Sequence, residues 1–190
     1  DNHHINLVKA LASRNIERAA FEAAWMAHAI TDGLTPAHHY PYQERVKELM
    51  KGKDYKQLFG IKIKGIMRGD NLAEALRNNW LYWGTNGIMT KHAAFEYGVA
   101  NLVAVIPQKK LMLGMSRKNF DNIDYKKVFY RALERVDSLK MYDRFLEKGW
   151  TTELMSDTGN ILIPEIIKTV ALCWASCINE AEEIMRNEKK

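Results

Sequence analysis

The stretch HAITDGLTPAHH at residues 28–39 decides how this chain is interpreted, because it places imidazole and carboxylate groups at the end of a helix. The residues before it, IERAAFEAAWMAHAITD at 16–32, repeat apolar side chains at three- and four-residue steps without a helix breaker. His28 and Asp32 are therefore predicted to project from one helix face, one turn apart. Gly33 is predicted to end this helix as a left-handed residue.

Further candidate ligands lie beyond this helix. Pro36 stiffens the exit, and His38 and His39 follow it. A second pair with four-residue spacing, His92 and Glu96 in KHAAFEYG, lies on another apolar helix. An isolated pair of this kind is usually only hydrogen-bonded. Two pairs and a spare histidine instead predict a site for zinc or a similar ion.

These two motifs, His-x3-Asp-x3-Pro-x-His at 28–38 and His-x3-Glu at 92–96, resemble the signature of the zinc-dependent phospholipase C and single-strand nuclease superfamily. The resemblance implies a zinc-dependent phosphodiester hydrolase in which metal-bound hydroxide attacks the phosphodiester. It implies one to three zinc ions, with the Asp32 carboxylate bridging two of them. The implied ligands are His28, Asp32, His38, His92 and Glu96.

The chain departs from that family at its N-terminal end. Family members supply further ligands there: an N-terminal Trp, two His and an Asp. Here no Trp precedes Trp25, and the upstream imidazoles are His3 and His4, either solvent-facing or an auxiliary metal pair. This predicts either further sequence before Asp1 or a divergent member with an incomplete cluster. No catalytic residue or general base is assigned, and a non-catalytic helical metal-binding or interaction protein is the alternative.

The substrate class stays open between phospholipid and nucleic acid. An apolar rim beside the metal site would favour lipid, and stacked aromatic side chains would favour nucleic acid. The cluster formed by Trp80, Tyr82 and Trp83 is interpreted as core packing, with base stacking as the alternative.

Chain length and helical periodicity predict one all-α domain over 1–190, a compact bundle of six to eight helices with an inserted basic segment at 42–70. The resemblance implies that this bundle is of the zinc phospholipase C and nuclease type. The net charge of +5 gives a mild attraction to phosphate-bearing partners. The basic segment is interpreted as a solvated face or as a surface for phosphate or lipid headgroups, with possible peripheral membrane contact. Its part at 53–70 fits a hairpin strand or an irregular helix.

Two cysteines, Cys173 and Cys177, lie four residues apart on a predicted helix and are interpreted as buried thiols. No signal peptide is visible, although the resemblance suggests a secreted or cell-envelope protein. No stretch is expected to span a membrane, because the most apolar one, 161–178, carries charged residues and a proline. Other expected features are a helix over 3–13, a loop over 108–121, a long helix over 124–148, a polar turn over 150–159 and a final helix over 161–187.

Overall fold

The computed structural model describes residues 1–49, 66–107, 120 and 123–188. The predicted all-α class is confirmed, since the described residues are mostly helical and contain no β-strand. Nine α-helices occur in them, one more than the upper expectation. They are α1 (Asn2–Ala12), α2 (Ile16–Leu34), α3 (Tyr42–Leu49), α4 (Leu72–Trp83), α5 (Ile88–Val105), α6 (Tyr125–Ser138), α7 (Met141–Lys148), α8 (Thr152–Asp157) and α9 (Ile163–Asn187). A 3-10 helix spans Pro36–His39, and a π-helical turn spans Thr158–Leu162.

The first hydrophobic core forms where α1, α2 and α6 pack against α9. Leu7, Ile30 and Ala132 are buried together there with the two cysteines of α9. Both thiols are free, as expected, and burial raises the pKa of Cys173 to about 11 and that of Cys177 to about 12. These cysteines therefore act as small apolar side chains.

A second core holds α5 in place. The Phe95 ring is fully buried, stacks on Trp150 at 5.3 Å and meets the edges of Tyr142 and Phe145. Because His92 and Glu96 flank Phe95 on α5, this aromatic packing also determines which way the second predicted ligand pair faces.

The predicted helix over 124–148 is wrong in one respect, because it is broken into α6 and α7. Lys140 adopts a left-handed conformation with φ 46°, which no continuous helix can contain. The break turns Met141 and Tyr142 into the second core. The polar turn expected over 150–159 is also wrong, since α8 begins there with the Thr151 hydroxyl accepting from the Leu154 amide.

Gly33 does not end α2, which continues through Leu34. Its lack of a side chain serves packing instead, since a Cβ atom there would lie 2.9 Å from Cζ of Phe129. The helix ends at Leu34, because Thr35 precedes Pro36 and a residue before proline disfavours the helical conformation.

The expectation that no stretch is long and apolar enough to span a membrane is wrong. The stretch Thr152–Asn187 contains an 18-residue window long and apolar enough to do so. Part of that window is the buried face of α9, which packs against α1, α2 and α6. Such a composition is also what the central helix of a bundle requires.

Two predictions fall largely outside the described residues. Of the basic segment at 42–70, the structure describes α3 and residues 66–70, so the hairpin or irregular helix expected over 53–70 lies mostly outside them. Most of the loop expected over 108–121 lies outside them as well. The helices expected over 3–13 and 161–187 are confirmed as α1 and α9, within two residues at each end.

Candidate metal centre

Three of the five predicted ligands meet between the 3-10 helix and α5. The Nε2 atom of His38 lies 2.9 Å from Oε1 of Glu96, and the Nε2 atom of His92 lies 3.1 Å from the same oxygen. The two imidazole rings stack with their centroids 5.2 Å apart. Possible ligand atoms of all three side chains lie within 4.8 Å of one another, a group that could hold a metal ion.

The remaining predicted ligands, His28 and Asp32, form their own pair on α2. Nε2 of His28 lies 3.2 Å from Oδ2 of Asp32, as the four-residue spacing requires. The other Asp32 oxygen lies 4.0 Å from Nδ1 of His38, so Asp32 stands between the pair and the three-residue group. His28 is 62% exposed and packs edge-on against Trp25. In this arrangement Asp32 adjoins the group, while His28 lies outside it.

The 3-10 helix determines which of His38 and His39 faces the candidate site. His39 Nε2 donates to the carbonyl oxygen of Gly33 at 2.8 Å, so its ring caps the end of α2. His38 points the other way, toward α5. Successive residues of such a helix project about 120° apart, and only one of two adjacent histidines can face the site.

The donor set suits a metal with an open coordination position. Two imidazoles and one carboxylate are the ligands of one class of catalytic zinc site, in which a water or the substrate occupies the fourth position. Tetrahedral bonds of about 2.0–2.1 Å place ligand atoms about 3.3–3.4 Å apart. The observed 2.9 and 3.1 Å separations need to open by only a few tenths of an ångström. Glu96 is 44% exposed and His38 31%, so solvent reaches the site.

Two tyrosines, Tyr42 and Tyr142, form a hydrogen-bonded chain that ends at His92, and no sequence pattern indicated them. The Tyr42 hydroxyl lies 2.6 Å from Nδ1 of His92 and donates to the Tyr142 hydroxyl at 3.1 Å. Burial is the main cause that raises the pKa of Tyr42, followed by its hydrogen bond to Tyr142. Burial also raises the pKa of Tyr142. Both phenols are therefore neutral at physiological pH.

An apolar groove of about 340 Å³ adjoins the group. Asp32 and Glu96 contribute to its wall, so the groove shares two side chains with the candidate site. The other walls come from α5, from the π-helical turn and from the start of α9. Their side chains are mostly aliphatic: Val99, Ala100, Val103, Leu162, Ile163, Ile166 and Ile167.

The upstream histidines lie apart from this centre. His4 is buried and stacks on Tyr125 at 3.9 Å, so the expectation that it faces solvent is wrong, and burial lowers its pKa. His3 Nδ1 lies 2.6 Å from Oε2 of the buried Glu22, which also pairs with Arg18. The hydrogen bond from His3 is the first cause that lowers the pKa of the Glu22 carboxyl. Both histidines line a second cavity, of about 360 Å³, which contains none of the five predicted ligands.

The predicted aromatic cluster on α4 is divided by the fold. Tyr82 is buried and packs with Val46 and Met67, as the core interpretation expects. Trp80 and Trp83 remain exposed. None of the three rings lines the groove beside the candidate metal centre.

Comparison of the chain with models of protein families, with curated proteins and with solved structures finds no match. The resemblance to the zinc phospholipase C and nuclease superfamily therefore rests on the two motifs at 28–38 and 92–96.

Proposed function

We propose that this chain is a zinc-dependent phosphodiester hydrolase whose metal centre is built on His38, His92 and Glu96. One observation carries the proposal: a single carboxylate oxygen lies within 3.1 Å of two imidazole Nε2 atoms, at a solvent-accessible position. When bound, zinc lowers the pKa of a coordinated water and neutralises charge that develops on phosphorus. Asp32, 4.0 Å from His38, is the first candidate to extend the centre to a second ion shared with His28.

The protein side chains supply positioning and charge. Glu96 brings a negative charge that balances the cation, and the stacked His38 and His92 rings close one side of the site. The exposed side leaves room for a phosphate group. A bundle of the zinc phospholipase C type, which the two motifs imply, would carry this centre between the 3-10 helix and α5.

The groove favours a lipid over a nucleic acid as the substrate. A diester held beside Glu96 could extend its remaining part along aliphatic side chains such as Val99, Val103 and Ile166. Nucleic-acid bases would need aromatic platforms, and none of the described residues that line the groove is aromatic. A phosphodiester with acyl chains fits both the charged centre and its apolar neighbour.

The first experiment is elemental analysis of the purified chain, followed by hydrolysis assays on the zinc-loaded protein. We expect bound zinc and hydrolysis of phosphatidylcholine vesicles, with slower hydrolysis of bis(p-nitrophenyl) phosphate and of single-stranded DNA. The variant His92→Ala should lose both zinc and hydrolysis, whereas His39→Ala should keep both. Stoichiometric zinc without hydrolysis of any phosphodiester would favour the non-catalytic metal-binding alternative. A chain that binds no zinc at micromolar concentrations would refute the proposal.

A further inference from the structure

We infer that Tyr42 is a positioning residue that keeps His92 in the tautomer able to bind a metal. The inference rests on the proposed metal centre and adds a second layer of residues to it. Tyr42 is the first residue of α3 and of the basic segment at 42–70, so this segment contributes directly to the candidate site.

With the Tyr42 hydroxyl donating to Tyr142, the tautomer of His92 follows from counting protons along the hydrogen-bond chain. Tyr42 has one hydroxyl proton, which it donates to the Tyr142 oxygen at 3.1 Å. Its own oxygen is then the acceptor for the 2.6 Å contact with His92, so Nδ1 of His92 carries the hydrogen. A neutral imidazole holds a single ring proton, and Nε2 is left with a free lone pair.

That lone pair faces Oε1 of Glu96 at 3.1 Å. Two acceptors at this separation repel each other, and a cation between them would coordinate both. In the other tautomer a proton would lie between these atoms and compete with the cation. A histidine ligand usually donates its second ring N–H to an outer partner that fixes its orientation, and here the partner is a phenol oxygen.

The surroundings keep Tyr42 in place as a neutral acceptor. Its ring meets the edge of His92 with centroids 5.3 Å apart, and it packs against Tyr40 at 4.9 Å. Tyr142 is itself buried in the second core against Phe95. The chain of hydroxyls therefore ends in the core of the bundle, where its geometry is held by aromatic packing.

The test reads the tautomer directly, by NMR of the metal-free chain with ¹⁵N-labelled histidine at pH about 8, above the ordinary pKa of about 6.5. We expect His92 to carry its hydrogen on Nδ1 in the natural chain and on Nε2 in Tyr42→Phe. Tyr142→Phe should cause the same change, because Tyr42 then turns its proton toward His92. Tyr130→Phe, which removes an exposed phenol, is the matched control and should change nothing.

Zinc affinity, measured by competition with a chelating dye, gives the second readout. Tyr42→Phe should raise the Kd for zinc about 10- to 100-fold, the usual cost of losing an outer partner of a histidine ligand. A natural chain with the hydrogen on Nε2, or unchanged affinity in both Tyr42→Phe and Tyr142→Phe, would overturn the positioning role alone. Failure of the natural chain to bind zinc would overturn the proposed function together with it. If Tyr42→Phe does not fold, Tyr142→Phe provides the same test.

Discussion

If zinc binds at the proposed centre, replacing Glu96 with glutamine should abolish the stabilisation that zinc provides, while leaving the metal-free protein nearly as stable as before. Glutamine preserves the size of the side chain and removes the charge that two imidazoles approach at 2.9 and 3.1 Å. Glu96 is almost half exposed, so in the absence of metal its contacts with the imidazoles contribute little, within about 1 kcal/mol.

The magnitude follows from linkage between binding and folding. Zinc at a hundred times its Kd would stabilise the natural chain by about 2.7 kcal/mol. At about 2–4 °C per kcal/mol, this raises Tm by about 5–11 °C. Loss of an outer partner costs 10- to 100-fold in affinity, so loss of a ligand should cost at least about 100-fold. At the same zinc concentration the variant would then gain only about 0.4 kcal/mol, or about 1–2 °C.

The assay is differential scanning calorimetry with and without zinc, combined with metal analysis of the dialysed protein. Glu134→Gln, on the exposed surface of α6, is the matched control and should keep the full shift. A Glu96→Gln variant with the zinc-dependent rise in Tm and the metal content of the natural chain would show that Glu96 is not a ligand. A large loss of stability without metal would assign it a structural role instead.

Three further predictions test which of His38 and His39 binds the metal, whether the groove binds substrate, and what the buried Glu22 carboxylate contributes to stability. His38→Ala should lose zinc in equilibrium dialysis whereas His39→Ala should retain it, since the His39 ring is bound to the end of α2; the opposite result would show that the register is wrong. Val103→Glu should lower hydrolysis of long-chain phospholipid roughly tenfold, as expected from losing contact with about two methylenes. Hydrolysis of bis(p-nitrophenyl) phosphate should be unchanged, and an equal loss on both substrates would show that the groove does not bind the substrate. The lowered pKa of Glu22 stabilises the fold above the ordinary glutamate pKa of about 4.3, and this stabilisation is lost as pH falls through the lowered value. The Tm of Glu22→Gln should therefore lie below that of the natural chain at pH 6 and approach it toward pH 3, and a constant difference across this range would contradict the linkage.

The local part of the candidate site could be predicted from sequence because helix geometry determines it. Residues four apart on a helix share a face, so spacing alone correctly pairs His92 with Glu96 and His28 with Asp32. The same periodicity identifies the all-α class and the extent of α9. These features depend on residues within a few turns of one another.

The contacts that join these pairs depend on tertiary packing. His38 and Glu96 are 58 residues apart, and they meet because the buried Phe95 ring orients α5 toward the 3-10 helix. Tyr142 reaches Tyr42 only because the helix is interrupted at Lys140. This residue adopts a left-handed conformation, which helix propensity does not reveal.

Sequence by itself therefore determined the two histidine–carboxylate pairs, the helical class and the buried thiols, since each follows from spacing along a helix or from apolar composition. Only the tertiary structure decided which three side chains converge, which histidine of 38 and 39 faces them, and that an aliphatic groove lies beside them. The physical reason is that distant residues converge only when whole helix faces pack to bury their apolar area. Helices with the same periodicity can pack in several ways, so the periodicity does not determine which residues meet.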